Sequence, residues 1–268
     1  MAKYRNDLLY VLAIVALGIY FLVVRNSDML FMAQSRQLWY GSEVYWNDLM
    51  KLPGGLLAWT GSYLTQFLYK PAIGSSLLIG LWVVLFFLVK QAFRLRGWLT
   101  GLAVLPVFCL LASEVDMGYW IYYIKIPGYY FRETLGFIVV AVIAWIARLG
   151  QNKWYALTVN VLTALSYPLF GAYALLALLV SLVRGLIQMK ADRPLATYAA
   201  GSAICLLVAT PLLFYQFYPE LPMYNAWTVS YPIFKADSEI SYICLVPFLV
   251  ATVCYVLYPL LQIGRAHV

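Results

Sequence analysis

Apolar and polar positions along this chain fall into long blocks rather than a short alternation. Leu8–Val24 is unbroken apolar sequence, with Lys3 and Arg5 before it and Arg25 after it. At about 1.5 Å of rise per residue, such a block fits a helix crossing the hydrocarbon core of a bilayer. It ends Val23-Val24-Arg25-Asn26, without the small-x-small pattern of a cleaved signal peptide, so an uncleaved first span is predicted. Comparable blocks predict spans at Ala72–Val89, Trp98–Ser113, Thr134–Ala147, Pro194–Phe214 and Ile240–Leu261. Trp154–Val183 is longer than one span and has basic residues at both ends. Its interior Ser166-Tyr167-Pro168-Leu169-Phe170-Gly171 supplies a proline and a glycine, which break a helix and permit a turn. A hairpin of two short helices is therefore predicted there.

The stretch 25–70 mixes charge with Trp39, Tyr40, Tyr45 and Trp46, a pattern typical of the membrane–water interface. Pro53-Gly54-Gly55 interrupts it, and Leu57, Leu64 and Leu68 then recur at helical spacing. This predicts an interfacial helix, ended by Lys70-Pro71. The expected architecture is all-α: a polytopic transmembrane helical bundle of about six full spans plus a short-helix hairpin, with interfacial helices in the first outer loop.

Composition sharpens that reading. Of the 268 residues 64% are hydrophobic and 11% are charged, and the mean hydropathy is +0.81. Soluble domains carry about 25% charged residues, so water is the wrong solvent for this surface. The net charge of +7 does not indicate nucleic acid, because the basic residues sit at the ends of apolar blocks and form no continuous patch. Cys109, Cys205, Cys244 and Cys254 lie inside apolar blocks without C-x-x-C spacing, and are read as packing residues. The one histidine, His267, excludes histidine triads and multi-histidine metal sites within this sequence.

With the N-terminus in the cytoplasm, ten of the 18 Lys and Arg residues fall inside, as the positive-inside rule asks. Nine of the 11 Asp and Glu residues then fall outside, which is more than orientation requires. An outer face that handles a polar substrate, a proton or a cation would explain the excess; a solvated acidic surface is the plainer alternative.

Glu114-Val115-Asp116 directly follows a predicted span. Carboxylates at membrane depth are costly unless paired, hydrated or metal-bound. In an extended segment the two would point the same way, suited to hold Mg²⁺ or Mn²⁺ against a phosphate or to act as a general base. Arg132, at the predicted start of the next span, is a candidate for a lipid phosphate. Asp28 and Asp48 in the first loop are candidate bases, and Tyr119 and Trp120 could stack on a sugar. Each has a plainer counterpart in a hydrated helix end, an interfacial ion pair or an aromatic belt.

Pro53-Gly54-Gly55 followed by Gln66-Phe67, and the later Tyr167-Pro168-Leu169-Phe170-Gly171, resemble an uncharacterised family of long multi-spanning bacterial inner-membrane proteins. That resemblance implies a longer protein and brings no activity. Residues 1–150 also resemble, in architecture, the GT-C class of polytopic glycosyltransferases. The GT-C resemblance implies a polyprenyl-phosphate-linked sugar as donor. It implies catalysis by Asp28 or Asp48, and metal or substrate binding by Glu114 and Asp116. The sequence departs from that class in having no adjacent acidic pair in the first loop. A non-catalytic membrane scaffold or sensor, and a transporter or flippase, remain as alternatives. The last would need polar residues within spans, of which Asn160, Thr163, Ser166 and Thr210 are the candidates.

Ile263-Gly264-Arg265-Ala266-His267-Val268 is what ATC GGA AGA GCA CAC GTC encodes, a common sequencing-adapter string, and a CAG codon for Gln262 supplies its opening AG. The expectation is one transmembrane domain over 1–262, a translated adapter over 263–268, and a natural chain that continues beyond.

Overall fold

The computed structural model describes residues 2–115, 124–150, 152–188 and 193–230. Among these the chain is helical, with no strand. Helix α1 covers Ala2–Gly18 and runs on as a π-helix through Arg25. The first loop then forms α2 (Ser27–Arg36), α3 (Glu43–Leu49) and α4 (Gly55–Thr65). Ser42 caps α3 by accepting from the Tyr45 amide at 3.3 Å. Helix α5 (Pro71–Ala92) opens with proline, whose missing amide is no loss in a first turn. A 3-10 stretch (Gly97–Val104) leads into α6 (Leu105–Val115). Then come α7 (Tyr129–Leu149), α8 (Lys153–Leu165), the single turn α9 (Tyr167–Phe170), α10 (Ala172–Gln188) and α11 (Arg193–Phe214).

Four segments among the described residues are long and apolar enough to cross a membrane: Asn6–Arg25, Pro71–Ala92, Tyr129–Leu149 and Pro194–Phe217. The third expected span falls short as regular helix, because its first half is 3-10. The sixth, Ile240–Leu261, and residues 263–268 lie outside the described residues. The hairpin breaks where proline and glycine predicted, with α8 ending at Leu165 and α10 starting at Ala172. The helix expected at Leu57–Leu68 forms over Gly55–Thr65, but it turns Leu57, Ala58, Gly61, Ser62 and Thr65 into the bundle. It packs on α7, so protein covers that face.

The core has two lobes joined by α7. Trp82, Phe86, Tyr130 and Phe131 anchor the first lobe. Across it Trp82 Nε1 donates to Thr134 Oγ1 at 3.1 Å, tying α5 to α7. The second lobe packs α8, α10 and α11 together. Asn160 holds it, donating to Ala199 O (3.0 Å) and Ser202 Oγ (2.8 Å) and accepting from Ser181 Oγ (2.7 Å). Polar bridging of this kind joins helices where apolar surroundings give little drive for association. The outward faces of the long helices remain oily, with Leu8, Val24, Leu162 and Leu213 all around 60% exposed or more. Such a surface suits a hydrocarbon solvent.

The bundle has two chemically distinct ends. At one, Lys90 pairs with Asp7, and Arg148 donates to the carbonyls of Gln91 and Ala92. At the other, four segments distant in sequence meet. The Gly54 amide donates to Pro168 O at 2.8 Å, the Ala172 amide to Val229 O at 2.9 Å, and Tyr167 Oη to Ala226 O at 2.5 Å. Gln37 completes this end. Its Nε2 donates to Ile124 O and Ile126 O, each at 2.6 Å, and its Oε1 accepts from the Gly128 amide at 2.8 Å.

Candidate functional site

Helix α7 begins immediately after Gly128, whose φ of +72° is open to glycine at little cost. A side chain there would also meet Gly61 of α4, whose backbone would stand 2.7 Å from an added Cβ. This close approach sets the first turns of α7 deep in the acidic end. They carry Tyr129, Tyr130, Arg132 and Glu133. The end of α6 brings Ser113 and Glu114 alongside.

Glu114 is 3% exposed and Glu133 5%. Among the described residues neither Glu114 carboxyl oxygen has a hydrogen-bond partner, and neither has Glu133 Oε1 or Arg132 Nε. Ser113 Oγ lies 3.5 Å from Glu133 Oε2 and 2.8 Å from Leu110 O. A hydroxyl has one hydrogen, and the shorter contact takes it, so Glu133 gains little from Ser113. The two glutamates lie within each other's field, Glu114 also acts electrostatically on Tyr130, and Arg132 feels both Tyr173 and Glu133. Buried ionisable groups without partners are costly, and folds keep them where function uses them.

A cavity of about 310 Å³ lies against this cluster. Its walls include Tyr129, Arg132 and Glu133 of α7, with Glu220, Asn225 and Ser230 from the segment after α11. The exposed pair Lys51–Asp48, at 2.6 Å, belongs to the same end. The hydrogen bond to Asp48 holds the Lys51 ammonium above its usual range, with a smaller push from Glu220.

Two of the segments that carry the family resemblance, Pro53-Gly54-Gly55 and Tyr167–Gly171, touch at this end through the Gly54–Pro168 hydrogen bond. A family match extends over residues 1–267. The chain belongs to DUF6057, a family of unknown function. No curated protein and no solved structure matches it.

In this DUF6057 chain the expected site residues separate. Glu114 and Arg132 come together in the buried cluster. Asp28 is exposed in the first turn of α2, and Asp48 is exposed and engaged by Lys51. Asp116, Tyr119 and Trp120 lie outside the described residues. Glu114 is helical, not extended. The geometric argument for a shared direction with its second neighbour therefore does not apply to it, since residues two apart face away from each other on a helix.

Among the described residues no group of three or more His, Cys, Asp or Glu side chains is placed to hold a metal. The unpartnered oxygens of Glu114 and Glu133 suit a cation in kind, and two carboxylates are a usual protein share of an Mg²⁺ site whose remaining positions water and a substrate phosphate would fill; Asp116, the other expected ligand, lies outside the described residues.

Glu133 is the site residue that the sequence pattern conceals. It reads as a charge just outside a span, while the helix extends to Tyr129 and buries it. Pro127-Gly128 was the available signal for that earlier start. Glu220 and Gln37 carried no local signal, since their roles depend on contacts far along the chain.

Proposed function

We propose that this protein is a multi-spanning protein of the bacterial inner membrane that acts as a GT-C-like transferase. Its donor is a polyprenyl-phosphate-linked sugar, taken up at the acidic end on the outer face. The observation that carries this is the buried Arg132–Glu133–Glu114 cluster beside a cavity at the end of an otherwise apolar bundle. A guanidinium at that depth suits a lipid-borne phosphate, which it can hold with two parallel hydrogen bonds. Glu133, facing the same cavity, serves as general base.

In the reaction the acceptor hydroxyl attacks the anomeric carbon as Glu133 takes its proton. The bond from that carbon to the phosphate oxygen breaks, and polyprenyl phosphate leaves with its charge held by Arg132. Glu114, behind Glu133, is a positioning residue. Asp48 and Lys51 stand where the acceptor would enter, and Tyr119 and Trp120 are the sugar-stacking candidates.

The basic end faces the cytoplasm in this reading, with the N-terminus, as the charge bias supports. The transporter alternative is less favoured. Asn160, Thr163 and Ser166, three of the four polar residues it relies on, are hydrogen-bonded within the helix packing.

The test is transfer of labelled sugar from a polyprenyl-phosphate donor by membranes carrying the protein. Glu133→Gln and Arg132→Met should abolish it while leaving membrane insertion intact. Undiminished transfer in either variant, or failure of the wild-type protein to bind polyprenyl phosphate in native mass spectrometry, would refute the assignment.

A further inference from the structure

The opposite end of the bundle holds a second cavity, of about 890 Å³, whose lining carries a strong excess of positive charge. Lys90, Arg94, Arg96 and Arg148 line it, against one carboxylate, Asp7. Charge bias alone would be satisfied by cations spread over separate loops. Here two segments deliver them into one concavity: the end of α5 with the turn after it, and the end of α7.

Lys90 and Arg148 also tie the fold together at this end. Lys90 pairs with Asp7. Arg148 covers the terminal carbonyls of α5, which removes the negative helix end from the cavity wall. Arg94 occupies a more telling position. Helix α5 closes with the Leu95 amide donating to Lys90 O at 3.0 Å, which makes Arg94 the residue at the left-handed position of the helix stop. Its φ is +51°, a conformation that favours glycine. The fold accepts this strain and so keeps a guanidinium at the cavity, and backbone strain of this kind concentrates at ligand sites. Arg96 follows, exposed. Below them Phe87, on a candidate span and about half exposed, continues the lining as apolar surface.

We propose that this cavity binds the phosphate headgroup of an anionic membrane lipid. Arg94 and Arg96 contact the phosphate, and the acyl chains descend along Phe87. A basic pocket between helices at headgroup depth has the chemistry for this, and charge-assisted contacts from arginine to phosphate are strong and directional. The site is independent of the transferase reading and rests only on the bundle lying in a membrane.

The test uses the full chain purified in detergent, with thermal unfolding followed as phosphatidylglycerol, phosphatidylcholine or inorganic phosphate is added. Phosphatidylglycerol should raise the Tm of the wild-type protein, and the other two at equal concentration should not. Arg94→Gly should keep or raise the lipid-free Tm, because glycine takes the left-handed conformation without strain, yet weaken phosphatidylglycerol binding about tenfold. Arg96→Gln, at an exposed position, provides a second variant with the same expected loss of binding. An equal shift with phosphatidylcholine, or an undiminished phosphatidylglycerol shift in both variants, would overturn the proposal. A full shift with inorganic phosphate alone would overturn the lipid source and leave a soluble-anion site.

Discussion

Glu114 offers the sharpest test of whether the acidic-end cluster is a functional site or merely packing. Its carboxyl group is buried, and neither oxygen has a partner among the described residues. A polar group buried without a hydrogen bond costs about 1–3 kcal/mol in protein mutational data. Glu114→Met keeps a similar volume, removes the orphaned oxygens and relieves the repulsion with Glu133. The variant should therefore be more stable than the wild type by about 1–3 kcal/mol, a rise in Tm of roughly 2–10 °C for a chain of this size. Glu114→Gln is the control. It keeps an unpartnered polar group at the same place and should gain much less. The assay is thermal unfolding of the purified protein in detergent, run beside sugar transfer on the same preparations. Gain of stability with loss of transfer is the pattern of a residue kept for function at a cost to the fold. A fall in Tm for Glu114→Met would refute the reasoning, since it would mean the carboxyl group holds the structure together.

Three further outcomes follow from the packing. Gln37→Leu removes three hydrogen bonds and leaves Ile124 O and the Gly128 amide without that partner, while Ile126 O keeps the Tyr129 amide; it should cost about 2–5 kcal/mol and speed amide exchange at Gly128. Gly136→Ala drives a methyl group into the Tyr173 ring and should cost about 1–3 kcal/mol, whereas Gly80→Ala, with open space around it, should be neutral or slightly stabilising by the same unfolding measurement. Asn160→Ala, which breaks the link between α8, α10 and α11, should cost about 0.6–2 kcal/mol and loosen protease resistance of the second lobe.

Much of the fold was legible because apolar block length and punctuation are local signals. The hairpin is legible from the length of its block, its basic flanks and Pro168 and Gly171, and the structure breaks there. Where charge was used to mark a helix end, the reading slipped. Hydropathy starts the fourth span at Thr134, with Arg132 and Glu133 at its boundary. The helix starts at Tyr129, set by Pro127-Gly128 and by the close approach of Gly61. Charge reports what a side chain needs around it, and a cavity walled by protein can supply that as well as water can. The third span fails differently. Its composition is apolar throughout, but Gly97–Val104 winds as a 3-10 helix, with Gly101 set against the Tyr10 hydroxyl. Hydropathy does not distinguish that winding from an α-helix.

The site was legible only in part because its members are joined through the backbone. Gly54 to Pro168, Ala172 to Val229 and the Gln37 contacts to Ile124 and Ile126 all rely on main-chain groups, which every residue carries and no pattern marks. The acidic residues that orientation counting placed on one side therefore divide in a way the count cannot show. Asp28, Glu43 and Asp48 meet solvent, where a carboxylate is stable and chemically ordinary. Glu114 and Glu133 are buried, where their charge must be met by Arg132, a ligand or a proton. An excess of acid at one end is thus two observations: solvated carboxylates in the first loop, and a buried pair whose cost to the fold calls for a function.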